Sequence, residues 1–171
     1  NNVRDKIVAF PSTYVWRMAN YGKVDIVGFD MTACMQLSFG PKVSLQCSAA
    51  STFQRAVDKT SHSSQSYDNQ LPYTPRWSGS GNVAVTTPWV NIGYSVVMQQ
   101  ERYSMAQNKP EYRMRPFWDH SLALSRSFRL GAMSLDACVK ATNITNAQYE
   151  IIKYYPMQGR AWTATLTWHI R

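Results

Sequence analysis

The chain has 171 residues, of which 44% are hydrophobic, 13% aromatic and 16% charged; this much apolar surface excludes an intrinsically disordered chain. No window holds about eighteen consecutive apolar residues, which excludes a transmembrane helix. The net charge of +8 comes from basic residues scattered singly, with no Lys/Arg run and no glycine-aromatic signature, so nucleic-acid binding is not expected.

The opening Asn1-Asn2-Val3-Arg4-Asp5 is polar and strand-like, and the chain is expected to start inside a longer reading frame. From there a period-two alternation dominates, which predicts strands. In chain order they fall near residues 2–10, 21–39, 42–55, 76–87, 89–104, 116–130, 132–143 and 160–170. In the second, Val27, Phe29, Met31, Ala33, Met35, Leu37 and Phe39 share one face, opposite Gly28, Asp30, Thr32, Cys34, Gln36 and Ser38. The fifth sets Ile92, Tyr94, Val96 and Met98 against Asn91, Gly93, Ser95 and Gln99, with Val97 as the exception. The seventh sets Leu135, Ala137, Val139 and Ala141 against Ser134, Asp136, Cys138, Lys140 and Thr142. In the last, Trp162, Ala164, Leu166, Trp168 and Ile170 alternate with Thr163, Thr165, Thr167 and His169.

The connections sort by length. Tight turns are expected at Phe39-Gly40-Pro41-Lys42, Thr87-Pro88-Trp89 and Arg129-Leu130-Gly131-Ala132, because Gly and Pro supply turn geometry. Long links are expected at 11–21, 55–76, 104–116 and 143–159, so that short and long alternate. An up-and-down meander then carries all its tight turns at one end and its long loops at the other, as transmembrane barrels do. Most of the strands reach the roughly nine to eleven residues that crossing a bilayer requires. Trp118 and Phe128, and above all Trp89, Trp162 and Trp168, lie near strand ends, where aromatic rings settle at the membrane interface. Cys34 is expected on the polar face and Cys47 on the apolar one, so no disulfide is expected between them, and Cys138 completes no metal-binding spacing.

Several segments carry a family resemblance. Asn143-Ile144-Thr145-Asn146-Ala147-Gln148-Tyr149, followed by Tyr155-Pro156-Met157-Gln158-Gly159-Arg160 and an amphipathic strand, is similar to the ending of TonB-dependent receptors. Asn1 to Ile7, Gly22 to Asp30 and Leu71-Pro72-Tyr73-Thr74-Pro75 resemble further elements of that family, in the same order. The wording is similar to receptors of the cobalamin and ferric-siderophore kind. One departure is the final Arg171, where the family commonly ends on an aromatic residue.

The resemblance implies an all-β, antiparallel up-and-down transmembrane barrel of about 22 strands, with residues 1–171 forming about its last eight strands and the plug domain absent from this chain. It implies an outer-membrane location and uptake of a large scarce nutrient, such as a ferric siderophore, haem or cobalamin. Energy would come from TonB through the plug, and the barrel-assembly machinery would read the last strand. The family performs no chemistry on its cargo, so no catalytic residue, metal site or cofactor is expected, and His62, His120 and His169 show no metal-ligand spacing. Cargo contacts are expected from long-loop aromatics and cations: Tyr67, Tyr73, Tyr103, Tyr112, Arg113, Arg115, Tyr154 and Tyr155, which suit a large anionic or macrocyclic ligand. Asp30, Asp136 and Lys140 are expected to face the lumen. Two other readings compete: a complete eight-stranded outer-membrane barrel with a structural or adhesive role, and a soluble ligand-binding β-barrel or sandwich. The polar inward faces weigh against the second.

Overall fold

The computed structural model describes residues 2–11, 15–131 and 133–170. Asn1 of the opening motif, the tip of the first connection, Ala132 of the third turn and the terminal Arg171 lie outside the described residues. The strands are β1 Asn2–Pro11, β2 Trp16–Ser38, β3 Ser44–Asp58, β4 Trp77–Thr86, β5 Asn91–Gln99, β6 Arg102–Tyr103, β7 Arg113–Met114, β8 Phe117–Leu130, β9 Met133–Thr142, β10 Glu150–Ile152, β11 Tyr155–Pro156 and β12 Ala161–Ile170. Eight of them form one antiparallel sheet in the order β1-β2-β3-β4-β5-β8-β9-β12. The pairs β6–β7 and β10–β11 are small ribbons within the loops.

Register decides which side chains share a face. Phe29 pairs with Phe53, which pairs with Trp77. Further along the sheet, Ile92 pairs with Leu124 and Leu124 with Val139, which faces Ala164 on β12. The apolar alternation therefore runs across the sheet from β2 to β12, interrupted on β8 by His120 and Arg126, which share the face of Leu124. Its opposite face carries Asp30, which accepts a 2.6 Å hydrogen bond from Thr52, and Asp136, paired with His169 at 3.0 Å. Val97 lies on this polar face, as its place in the alternation requires. Cys34 faces Ser48 while Met35 faces Cys47, so Cys34 and Cys47 point to opposite sides, and all three cysteines are free.

The apolar face is not buried. Val27, Phe29, Met31, Leu124, Leu166 and Ile170 are all exposed, Leu166 at 73% and Ile170 at 79%. An apolar patch this continuous marks a surface made for something other than water. Its borders are aromatic. Phe29, Phe53 and Trp77 form one cluster with ring centroids 5.0 to 5.7 Å apart. Phe29 and Phe39 lie ten positions apart, as do Trp118 and Phe128. Ten residues cover ~33 Å of strand, which a tilt of ~40° reduces to ~25 Å, the height of the lipid-facing band of an outer-membrane barrel. Trp89, Trp162 and Trp168 stand exposed at 69%, 69% and 57%.

The strongly buried residues lie at the long-loop end. Tyr21, Val24, Ala56 and Leu71 make a small core with Val8, Ala19, Ile26 and Ala106 against it. This core corrects the expected first long loop. Residues 16–21 are strand, because the β1–β2 ladder runs on through Lys6↔Tyr21 and Val8↔Ala19 to Pro11↔Trp16. The alternation of short and long connections therefore holds only from β2 onward. The fifth strand also ends earlier than expected, at Gln99, and residues 102–103 turn away to pair with β7. Gly40 and Gly131 take φ of +78° and +65° in the tight turns, a conformation that a Cβ would strain.

β1 and β12 are the edges of the sheet, and among the described residues they do not pair. The eight strands thus do not close into a barrel of their own. Nor, among the described residues, does a second sheet pack on the apolar face, as a soluble sandwich would require. Both competing readings lose their structural basis here.

Candidate functional site

Three long connections, 59–76, 100–116 and 143–160, leave the same end of the sheet and lock together. The Tyr73 N–H donates to Tyr103 O at 2.8 Å, joining the first to the second. The Asn108 amide, with its oxygen toward the Gln70 N–H, bonds the Gln70 backbone in both directions at 3.0 and 3.2 Å. Arg102 joins the second connection to the third: its Nη2 donates to Glu150 O at 2.7 Å and to Ile151 O at 3.2 Å. The Lys153 Nζ donates to Glu111 O and lies over the rings of Tyr112 and Tyr154, at 5.6 and 5.4 Å. These partners are 42 to 49 residues apart in sequence, so the loops form a cap with tertiary structure of its own.

Arg102 is 2% exposed, and burial pulls its guanidinium below its ordinary range, with Tyr73 and Glu150 opposing. Its ring neighbour is Phe117, 5.8 Å away. Phe117 in turn stacks on Tyr149, with centroids 4.0 Å apart and planes 10° from parallel.

The resembled ending has a physical meaning. Asn143 is 2% exposed with φ +48°. Its Nδ2 donates to Ala147 O at 2.9 Å and Gln158 O at 3.2 Å, and its Oδ1 accepts from the Ala147 N–H at 2.8 Å. The Asn146 Oδ1 accepts from the Arg160 N–H at 3.0 Å. A Cβ on Gly159 would lie 2.8 Å from that same Oδ1, so the position excludes side chains. The Tyr149 hydroxyl donates to Asp119 Oδ2 at 2.5 Å. The motif is a clasp that fixes the last connection between β8 and the start of β12.

Burial, and after it the bond to Asp119, pushes the Tyr149 phenol up to about 12. An unfolded tyrosine titrates near 10, so the folded chain holds this proton more tightly. Its contribution is complete below pH ~10 and is lost as the pH rises toward 12. Tyr149→Phe is therefore expected to lower the urea midpoint by a constant amount up to pH ~10, with the gap closing above it. A gap unchanged between pH 10 and 12 would show that the fold does not raise the Tyr149 phenol.

The cap places the expected cargo-contacting residues unequally. Tyr73, Tyr103, Tyr112, Arg113 and Tyr154 come together around Arg102 and Lys153. Arg113 is bound to Glu101. Burial raises the Tyr73 phenol, and the Glu111 contact raises that of Tyr112. Arg115 lines a separate cavity of ≈ 270 Å³ beside Tyr149 and Glu150. Tyr67 stands apart: its ring meets His62 at 4.1 Å and lies under Lys59, whose ammonium pairs with Asp68 at 2.8 Å. Tyr154 and Tyr155 are the most open, exposed at 65% and 58%. Sequence reasoning missed Arg102, the clasp role of Asn143 and the Phe29–Phe53–Trp77 cluster. The Gln99-Gln100-Glu101 run before Arg102 signals only the end of the apolar alternation. Among the described residues no three His, Cys, Asp or Glu side chains group to hold a metal.

An antiparallel sheet with one exposed apolar face between aromatic borders, one polar face and a loop cap at one end defines the wall of a transmembrane β-barrel. The chain belongs to the TonB dependent receptor-like β-barrel family, whose model matches residues 1–144. That family consists of outer-membrane transporters rather than enzymes. No curated protein matches the sequence significantly. The match stops just inside the Asn143 clasp. β12 lies beyond it, yet pairs with β9 in unbroken register from Ala161↔Thr142 to Ile170↔Met133.

Proposed function

We propose that residues 1–171 are the C-terminal part of the barrel domain of a TonB-dependent receptor that takes up a large scarce nutrient of the ferric-siderophore, haem or cobalamin class. The observation that carries this reading is the exposed apolar face that runs across the sheet between aromatic borders, as a lipid-facing wall does, backed by a polar face suited to a hydrated lumen. The plug, with the segment that engages TonB, would lie upstream, and β12 would be the strand read by the barrel-assembly machinery. The loop cap would face the cell exterior. Tyr154, Tyr155 and Arg115, all exposed, would meet cargo first. Tyr73, Tyr103, Tyr112 and Arg113 would hold the cap in shape around it, and Tyr67 would stiffen the first loop.

The test is uptake of labelled ferric siderophores, haem and cobalamin by cells carrying or lacking the gene, with and without functional TonB. Loss of one cargo class in the deletion, restored by complementation only when TonB is present, is expected. Equal uptake of every class in the deletion and its parent would overturn the reading. Tyr154→Ala with Tyr155→Ala is expected to weaken that uptake without lowering the surface level of the receptor.

A further inference from the structure

The tight turns at Gly40, Pro88 and Gly131 close the end of the sheet opposite the loop cap, and Arg126 stands near that end on the apolar face. It pairs with Ala137, which pairs with Leu166, and Leu124 and Phe128 flank it two positions away on the same face. His120, the other break in the apolar face of β8, is satisfied, with its Nδ1 at 2.6 Å from the Tyr94 hydroxyl. Arg126 is exposed and, among the described residues, forms no ion pair. Its guanidinium lies instead over the Phe128 ring, 5.0 Å from the centroid. Phe128 is two positions nearer the Gly131 turn, so the charged head leans toward the aromatic border. Two positions of tilted strand cover ~5 Å along the membrane normal, a gap that a long arginine stem bridges.

We propose that Arg126 holds the headgroup phosphate of a glycerophospholipid whose acyl chains lie on the apolar face. A guanidinium on a lipid-facing surface is costly unless it reaches the interface and meets an anion there. Phosphate is the anion that a phospholipid layer presents at that depth, and its bonds to a guanidinium are charge-assisted and forked. Leu124, Ala137 and Leu166 give the acyl chains apolar neighbours beside the charge. The site goes beyond the transport reading and rests only on the apolar face being the lipid-facing one.

The probe is phosphatidylglycerol, titrated into the full-length receptor in a phosphate-free maltoside detergent, with bound lipids counted by native mass spectrometry. Arg126→Leu is expected to weaken the tightest lipid-binding step about ten-fold or more. Arg129→Gln, at the same end but on the opposite face beside Ser134, is expected to leave that step unchanged. Diacylglycerol with the same chains, which lacks the phosphate, is expected to bind the parent and Arg126→Leu alike. If Arg126→Leu does not assemble, Arg126→Gln decides by the same measure. Phosphatidylglycerol binding that survives loss of Arg126, or falls equally in Arg129→Gln, overturns the proposal. So does an equal loss of diacylglycerol binding, which would make the contact one of acyl packing. A loss of receptor oligomers in Arg126→Leu with lipid binding intact also overturns it, and assigns the arginine to a protein neighbour. The measurement needs neither cargo nor TonB, so its failure leaves the transport reading standing. A destabilising Leu124→Arg alongside that failure removes the phosphate site alone, whereas a neutral Leu124→Arg removes the lipid-facing wall and the site with it.

Discussion

Leu124→Arg is expected to destabilise the folded barrel by ~2–4 kcal/mol, the cost of placing a cation on the lipid face near the bilayer midplane. Leu124 lies six positions from Trp118 and four from Phe128, between Ile92 and Val139 on the apolar face. It is 42% exposed. In water, arginine at so open a position would change stability by about 0.5 kcal/mol or less. Its neighbour Ser125 points the other way, between Asn91 and Cys138, and Ser125→Arg is expected to be nearly neutral. Urea unfolding in lipid vesicles, read by the heat-dependent shift of the folded band, compares the two. A neutral Leu124→Arg with a destabilising Ser125→Arg would reverse the assignment of the faces.

Asn143→Ala should be the most damaging single change in the loop cap. It removes three side-chain hydrogen bonds and leaves the Ala147 N–H and the Ala147 and Gln158 carbonyls without their partner in a part-buried place. It also puts alanine at φ +48°, where asparagine is tolerated better. Groups stranded in this way cost ~1–3 kcal/mol each when water cannot reach them, and partial relaxation brings the expected loss to ~3 kcal/mol. Asn146→Ala gives up the Arg160 N–H bond at an exposed site and likewise puts alanine at a positive φ of 53°, for about 1–2 kcal/mol. The consequence reaches beyond the loop. Asn143 follows Thr142, the residue paired with Ala161, and grips Gln158 just before β12. The loosened variant is therefore expected to show faster protease cleavage within 143–160 and slower assembly. Equal losses for Asn143→Ala and Asn146→Ala would remove the clasp as the register-setting element.

The sheet was largely legible in the sequence because its physics is local and periodic. Trp162 to Ile170 alternates without a fault, and the faces of β2, β5, β9 and β12 follow from alternation alone. The opposed directions of Cys34 and Cys47 did as well. Residues 16–21 read as loop, because the packing that accompanies their place in the ladder, half-buried Ala19 and buried Tyr21 in a core with Leu71 and Ala106, comes from distant loops. Periodicity carries no information about such neighbours.

The cap was legible only as a set of polar, aromatic-rich segments. Its residue types pointed to the right loops but not to the ones that hold them together. Arg102 resembles any surface arginine until Glu150 and Ile151 arrive from 48 and 49 residues away. Tyr67 and Tyr154 look equivalent in sequence and each lies under a lysine, yet Tyr67 also meets the His62 ring and is half-buried while Tyr154 is open. The Asn143 motif was legible as a family signature, while its mechanism needed coordinates, since Gly159 is explained only by the position of the Asn146 side chain.

The most direct test of these strands as part of a larger lipid-embedded barrel is the size of the native polypeptide. An antibody raised against this segment would be used to blot an outer-membrane fraction, with and without boiling. A heat-modifiable band several-fold larger than 19.5 kDa is expected. A band near 19.5 kDa would contradict it, since the open edges of β1 and β12 would then have no strands to complete them.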